Sequence, residues 1–392
     1  MTKHRGRHRR RKRGRALRGV LAGTALALTA AATMISASQA TVEDDPGALK
    51  PLTSAAALDT LRLSEDLPAP DQDDRAAEGR SVGVGTVLDA ADRTLRDPAH
   101  CTAGERAALP VAPAATHAYC WDADDTRGWR SRAVTTSGDA DDDGRWGEHR
   151  VVLSAWSAPG ASRVAFVDAG DLDRLRYSWV LLAAPARGDT GAAAHRALRP
   201  AVSGMVWYQD KLLVGAGDGV YVYDMHRIRR ADAATAAEHG TPFVLPAAGV
   251  YRAAGHGPVS LSLDRTTSPD SLVASGDGLL RRYAFSKEPG RAGLLATGRP
   301  SQVYRSEVDG AGGVLSYRSR WYVTQGAEER GTLWRQSGGE ALATRCGAEE
   351  SHACWSAATP SLSYWEERGE VWSQSGRALF ALPLDSIDNA LG

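Results

Sequence analysis

From Ala112 to the end of the chain, short apolar and aromatic runs alternate with turns rich in Gly, Asp and Ser. Long helical stretches are scarce there, a pattern typical of β-strands joined by turns. Several segments share one internal order: a small residue and an apolar strand, a polar turn, a second strand, a Gly-containing turn and a third strand. These segments span residues 203–225, 259–285, 313–336 and 361–382, with a looser copy at 161–183.

The middle turns of these segments lie near residues 170, 218, 277, 329 and 375, so the repeat is about 45 to 60 residues long. Propeller blades, typically of four strands each, have periods in this range. A unit of three or four strands cannot cover both of its faces alone, and neighbours stacked around an axis supply the missing cover. The sequence therefore predicts an all-β, propeller-like fold with five or six irregular blades, six slightly preferred. A tandem of β-sandwiches is the alternative.

The first forty residues have the order of an export signal. Ten Lys and Arg residues are followed by an uncharged, Ala- and Leu-rich run of 17 residues at 19–35, and then by the small residues around Ala40. This order predicts a secretory signal peptide cleaved after Ala40. The apolar run is shorter than the ~20 residues of a transmembrane helix. We expect a secreted, extracellular protein, either free or held at the cell wall, with no stable membrane span after processing; an uncleaved anchor is the alternative.

Removal of residues 1–40 changes the charge of the chain. All 47 acidic residues remain but only 37 of the 47 basic ones, which gives a net charge of −10. An acidic surface argues against nucleic acid as a partner.

Two segments separate the signal peptide from the repeats. Residues 41–80 are rich in Pro, Asp and Ala and predict a flexible lead-in. Within 81–111, apolar residues recur at helical spacing from Val84 to Leu95, and Pro98 ends the run. This spacing predicts one short helix that packs on the propeller-like domain at 112–392.

The four cysteines predict disulfides, because an even number in an exported chain is typical of a disulfide framework. Of the three connectivities we favour the sequence-local one, Cys101–Cys120 and Cys346–Cys354. Their spacings do not fit a zinc site built from two close cysteine pairs.

An acidic loop begins at Gly138 with Asp139, Asp141 and Asp143 before Gly144, which matches the start of a calcium-binding loop. The twelfth position of such a loop is a bidentate Glu, whereas here it is Arg150. Two interpretations stay open, a looser calcium site and a solvated acidic turn, and the second is favoured. Calcium is the only cofactor that the sequence suggests.

Strong catalytic motifs are missing from the sequence. There is no G-x-S-x-G and no H-E-x-x-H, and the histidines are scattered singly. The Gly-rich stretch 215–219 precedes an alternating strand rather than the helix of a dinucleotide site. The predicted inner strands offer mainly Ser and Tyr, with Asp264 as their only carboxylate.

The ordered blocks "CWDADDTRGWRSRAVTTSGDA", "SGMVWYQDKLLVGAGDGVYVYD", "GVLSYRSRWYVTQ" and "SLSYWEERGEVWS" resemble those of uncharacterised secreted proteins of Streptomyces and related actinobacteria. The resemblance covers about residues 118–388 and implies export and a propeller-like fold. It carries no catalytic residues over to this chain.

Two functions from different classes follow. The first is a secreted, non-catalytic binding or interaction module whose ligand is an extracellular protein, peptide or carbohydrate. The alternative is a calcium-dependent propeller hydrolase of the lactonase or esterase type. The hydrolase would require carboxylate, amide or imidazole groups gathered at the axis of the propeller. The predicted inner strands largely lack such groups.

Overall fold

The computed structural model describes residues 45–67, 81–185, 195–255, 257–348 and 350–392. The predicted signal peptide lies outside these residues, as do residues 41–44 and 68–80 of the predicted lead-in. Within them the chain is predominantly β, and the all-β prediction is confirmed. None of the described helices is long and apolar enough to cross a membrane.

The first described part carries short edge strands and helices. They are β1 (Lys50–Pro51), α1 (Ala55–Thr60), β2 (Leu63–Asp66), β3 (Ser81–Val82), α2 (Val84–Asp89), β4 (Arg93–Thr94), a 3-10 turn (Pro98–His100), α3 (Ala103–Ala107) and β5 (His117–Cys120).

Five antiparallel blades follow in the described part of the chain. Blade 1 contains β6 (Arg130–Thr136), α4 (Ser137–Ala140), β7 (Val151–Ala158), β8 (Ala161–Asp168), β9 (Arg176–Pro185) and β10 (His195–Ala197). Blade 2 contains β11 (Val202–Tyr208), β12 (Lys211–Ala216), β13 (Gly219–Asp224), a 3-10 turn (Met225–Arg227), β14 (Ile228–Arg230), α5 (Ala233–His239) and β15 (Phe243–Ala253).

Blade 3 contains β16 (Ser260–Asp264), β17 (Ser271–Gly276), β18 (Leu279–Ala284), a 3-10 turn (Pro289–Arg291) and β19 (Gln302–Arg305). Blade 4 contains β20 (Ala311–Tyr317), β21 (Arg320–Gln325), β22 (Arg330–Gln336), β23 (Ala341–Ala343) and β24 (Trp355–Ser356). Blade 5 contains β25 (Leu362–Trp365), a 3-10 turn (Glu366–Arg368), β26 (Glu370–Ser375), β27 (Ala378–Pro383) and α6 (Leu384–Asn389).

The first strand of each blade lies at the centre of a closed ring. Strand β6 contacts β11, β11 contacts β16, β16 contacts β20, β20 contacts β25, and β25 contacts β6. The predicted inner strands are therefore confirmed, and β6, which lay outside the recognised repeats, is the fifth. The described residues form five blades rather than the preferred six. The connections at 225–243 and 343–361 lengthen two repeats without adding a blade.

The last blade takes its outer strand from the N-terminal side of the ring. Strand β5 pairs antiparallel with β27, with Leu379 opposite Tyr119 and Ala378 opposite Cys120. This pairing explains why the three strands of the segment at 361–382 are followed by a helix and not by a fourth strand of the same blade. It also joins the two ends of the propeller, because β5 precedes blade 1 in the chain.

The predicted lead-in is wrong for residues 45–67. Strand β1 pairs with β19 of blade 3, and β2 pairs with β15 of blade 2. Edge strands are held by backbone hydrogen bonds, which need no apolar periodicity in the sequence. The predicted short helix is confirmed as α2, which buries Val84, Val87 and Leu88 but ends at Asp89.

Both predicted disulfides are present, Cys101–Cys120 and Cys346–Cys354. The first ties β5 to the segment before α3. Most of the tryptophans fill the space between sheets, as expected from their positions in the strands. The fully buried ones are Trp121, Trp156, Trp179, Trp207, Trp321, Trp355, Trp365 and Trp372.

Hydroxyl groups join each blade to the next. An inner strand has a ladder partner on one side only, so backbone groups that face the axis need other partners. The contacts are Val202 N to Ser157 Oγ (3.0 Å), Ser203 Oγ to Pro258 O, Val314 N to Ser260 Oγ (3.3 Å), Thr324 Oγ1 to Thr359 O (2.7 Å) and Ser361 Oγ to Val134 O (3.1 Å). The serines of the inner strands therefore have a structural role.

Ser361→Ala is expected to destabilise the fold by about 1–3 kcal/mol, since Ser361 Oγ bonds both the N–H and the C=O of buried Val134. Chemical denaturation monitored by tryptophan fluorescence measures the change. The matched control is Ser64→Ala, because Ser64 is exposed on β2, and it should change the free energy of unfolding by less than about 0.5 kcal/mol. Equal effects would contradict the role given to the hydroxyl of Ser361.

Candidate ligand-binding cleft

A cleft of about 1040 Å³ opens on the face of the ring where the inner strands begin. Arg130 at the start of β6, Gly312 in β20 and Pro360 before β25 line it from three blades. The turns β21–β22 and β26–β27 and helix α3 complete its walls. Many of the lining residues are small, so a ligand can approach the backbone closely. The small residues include Gly104, Ala108, Thr126, Gly326, Ala327, Ala357, Ala358 and Gly376.

Arg132 lines this cleft because of an irregularity in β6. Ser131 pairs with Trp156 and Ala133 pairs with Ala155, so Arg132 is an extra residue that has no partner in β7. A bulge of this kind bends the strand and redirects the side chain of the extra residue. The guanidinium of Arg132 is thereby one of the groups that face the cleft.

Arg132 is half-buried, and among the described residues its guanidinium has no hydrogen-bond or ion-pair partner. Burial, and then the nearby charge of Arg130, lower the pKa of Arg132. An arginine side chain nevertheless remains protonated in proteins. The cleft therefore contains a partly desolvated positive charge without a counter-charge, which costs free energy until an anion binds.

Glu105, the buried acid of the cleft, is already engaged elsewhere. Its Oε1 accepts hydrogen bonds from Arg96 Nη2 and Arg377 Nε, both at 2.9 Å. Burial by itself would raise the pKa of Glu105, but hydrogen bonds from Arg377, Thr102 and Arg96 lower it to about 2. With Thr102 it also forms the capping box of α3. Glu105 holds the wall of the cleft and does not compensate Arg132.

Glu105 also belongs to the one group of three metal-binding residue types that the described residues bring within 4.8 Å. Its companions are Cys101 and Cys120. Both cysteines are consumed in a disulfide, so neither sulfur is a thiolate ligand. This group is a structural joint between α3 and β5.

Trp129 supplies an aromatic wall. The guanidinium carbon of Arg163 lies 4.1 Å from the ring centroid of Trp129 and 3.7 Å from that of Trp179. Burial lowers the pKa of Arg163 to about 10. These cation–π contacts fix the half-buried indole of Trp129 at the edge of the cleft.

Asp139, the first residue of the acidic-loop prediction, lies on the opposite face at the end of β6. Its side chain is buried, and Oδ2 accepts hydrogen bonds from Thr135 Oγ1 at 2.7 Å and Ser363 Oγ at 2.8 Å. Burial raises the pKa of Asp139 to about 6, against the lowering effect of these two hydrogen bonds and of Arg265. Asp139 thus joins blade 1 to blade 5.

Asp141 and Asp143 are exposed, and Asp143 Oδ1 accepts a hydrogen bond from the backbone N–H of Arg145 at 2.8 Å. The structure does not bring the carboxylates of Asp139, Asp141 and Asp143 together within 4.8 Å. The calcium site stays a prediction, for which this arrangement gives no support.

The remainder of the acidic loop packs on blade 5. A Cβ on Gly138 would lie 2.4 Å from the ring of Trp365, and one on Gly144, where φ is +75°, would lie 1.8 Å from Glu367 Oε2. Arg150, which replaces the calcium-binding Glu of an EF-hand, forms an ion pair with Glu367 at 2.9 Å. The glycine and arginine of this loop are therefore explained by packing.

Asp264, the carboxylate of the predicted inner strands, is also engaged. It is buried, pairs with Arg282 Nη2 at 2.8 Å, and accepts a hydrogen bond from Ser316 Oγ at 2.7 Å. The guanidinium of Arg282 lies 4.6 Å from the ring centroid of Trp321. Asp264 is thus compensated by groups of blades 3 and 4.

Arg132 is a site residue that no motif in the sequence indicates. The only available signal was the pair Arg130 and Arg132 directly after Trp129, in a segment outside the recognised repeats. In a regular strand these two arginines would simply lie on one face. The bulge that places Arg132 depends on pairing with β7 and cannot be read from the sequence alone.

No family model and no curated protein sequence matches this chain. Among solved structures, the WD40 domain of Toxoplasma gondii coronin matches with a TM-score of 0.30 and 10% identity, over 68% of this chain and 59% of that one. A gluconolactonase of Xanthomonas campestris matches with a TM-score of 0.29 and 12% identity, over 78% of this chain and 97% of that one. At these scores neither match informs the function, and the fold rests on the strand topology.

Proposed function

We propose that this chain is an exported, non-catalytic β-propeller binding module of the extracellular space or cell surface. Its ligand is an extracellular protein, peptide or carbohydrate. The part of the ligand that is recognised enters the cleft lined by Arg132 and Trp129. The observation that carries the proposal is the combination of a 1040 Å³ cleft with a guanidinium that has no partner among the described residues. Ligand sites are typically concave, with a few convergent polar groups in a volume of about 300–1,000 Å³.

Export is supported by the order of the first forty residues and by the two disulfides, which form and persist in oxidising compartments. The alternative function, a calcium-dependent lactonase or esterase, requires oxygen ligands available to a metal. Asp139 and Asp264, the buried carboxylates at the ends of inner strands, are instead bonded to hydroxyl groups and to Arg282. This arrangement favours binding over metal-assisted hydrolysis.

A calcium titration separates the two functions. The purified protein is stripped with a chelator and then melted with and without millimolar calcium, alongside an assay of lactone and ester hydrolysis. We expect an unchanged midpoint and no calcium-dependent hydrolysis. A micromolar site would add about 4 kcal/mol of stability at a thousandfold excess of calcium. Two results together would overturn the proposed function. They are calcium-dependent hydrolysis and a large rise in the melting midpoint with calcium that is lost in Asp141→Asn and Asp143→Asn.

A further inference from the structure

We propose that the cleft recognises a ligand that carries one carboxylate on a compact, largely apolar body, with Arg132 as the carboxylate anchor. This inference rests on the proposed binding function and specifies the chemistry of its ligand. It rests on the unpaired guanidinium, which a bulge directs into the cleft, and on the composition of the lining.

The guanidinium of Arg132 requires an acceptor. Its Nε is buried without a partner, and no carboxylate among the described residues pairs with it. A planar guanidinium presents parallel N–H groups that match the two oxygens of a carboxylate, and such paired, charge-assisted hydrogen bonds are stronger than neutral ones. The β-bulge that exposes Arg132 to the cleft is a local irregularity of the kind found beside binding sites.

The charge of the cleft favours a monoanion. Arg130 adds a second positive charge at the start of β6, but it is exposed and therefore better screened by solvent. Glu105 pairs with Arg377 of the lining and with Arg96 behind it, and Glu328 adds an exposed negative charge. The lining therefore contains three cations and two anions, a net charge of +1. A dianion such as sulfate would meet only one partly buried, unpaired cation and would be repelled by Glu328.

The remainder of the lining suits an apolar body. Ala327, Ala357, Ala358 and Pro360 lie on the side of blades 4 and 5, and the indole of Trp129 lies beside Arg130. Apolar groups against this surface would gain about 25 cal/mol for each Å² removed from water, while the carboxylate fixes the orientation of the ligand.

Acids and their neutral amides test the inference directly. The probes are phenylacetate, N-acetylphenylalanine and glucuronate, each paired with its carboxamide, and sulfate as the dianion. Calorimetric titration of the full purified protein should show at least one acid that binds tenfold or more tightly than its amide, and sulfate should bind more weakly than that acid. The glucuronate pair distinguishes a sugar body from an apolar one.

Arg132→Gln should remove the preference for the acid over its amide, so that the two bind equally well. Arg132→Lys should retain part of it, because a lysine keeps the charge but lacks the planar fork. Arg130→Gln is the matched control and should reduce the affinity for the acid only two- to threefold. The melting midpoint of Arg132→Gln should equal or exceed that of the wild type, since the variant removes a desolvated charge without breaking a contact.

Each contrary outcome has a distinct meaning. Equal binding of acid and amide by the wild type, or tighter binding of sulfate, would overturn carboxylate recognition and leave the binding function standing. A glucuronate preference over both apolar acids would overturn the apolar body. Failure of every acid, amide and sulfate to bind at 10 mM would overturn both the inference and the assignment of function to this cleft.

Discussion

Asp264→Ala is expected to destabilise the protein by about 3–5 kcal/mol. The substitution leaves the guanidinium of Arg282, which is 5% exposed, without its carboxylate. Breaking a buried ion pair by removing one partner has a cost of this size because a charge remains buried and uncompensated. The Ser316 hydroxyl also loses its acceptor. Denaturant titration at neutral pH, with the slope compared between variants, measures the change.

The double variant Asp264→Leu/Arg282→Met is the control. Replacement of both members of a buried pair by apolar side chains is often neutral or stabilising, so the double variant should recover most of the stability lost in Asp264→Ala. If Asp264→Ala costs less than about 1 kcal/mol, the pair does not hold blades 3 and 4 as described. If the double variant loses as much stability as Asp264→Ala, the destabilisation is due to packing and not to the unpaired charge.

Asp139 should make the protein less stable as the pH rises. Its pKa is about 6 in the folded protein and 3.8 in a solvated chain, so the folded state binds the proton more tightly. The contribution of Asp139 to the free energy of unfolding is therefore largest below about pH 4, falls between pH 4 and pH 6, and is level above that range. A shift of this size corresponds to roughly 3 kcal/mol.

Asp139→Asn isolates this contribution from the other acids, such as Glu105, whose lowered pKa gives the opposite trend below pH 4. The amide oxygen of Asn can still accept hydrogen bonds from Thr135 and Ser363. The expected result is that the wild-type minus variant difference in unfolding free energy declines through pH 4–6. A difference that stays constant with pH would contradict the burial of an ionised Asp139.

The repeated architecture could be predicted from the sequence, because strands and tight turns are encoded locally. Asp277 and Gly278, for example, adopt the positive φ values of 53° and 68° that a two-residue hairpin requires. Ring closure could not be predicted in the same way. Strand β5 pairs with β27, which lies some 260 residues later in the chain. The sequence of the four residues of β5 does not indicate which strand they pair with.

The candidate site was harder to predict, because its residues are determined by register and by distant contacts. The Asp-x-Asp-x-Asp-Gly pattern suggested a cation loop, yet Gly144 is required by close contact with Glu367, and Asp139 is taken up by Ser363 of another blade. Arg132 carries no motif at all. Its position follows from one extra residue in β6, and its lack of a partner is a property of the assembled ring.

The most direct test of this account is a set of crystal structures of the protein soaked with small fragments, both acidic and neutral. We expect fragments to collect in the cleft beside Trp129, and the acidic ones to place their carboxylates within hydrogen-bond distance of Arg132. Fragments or metal ions gathered instead around Asp139, Asp141 and Asp143 on the opposite face, with the cleft empty, would contradict it.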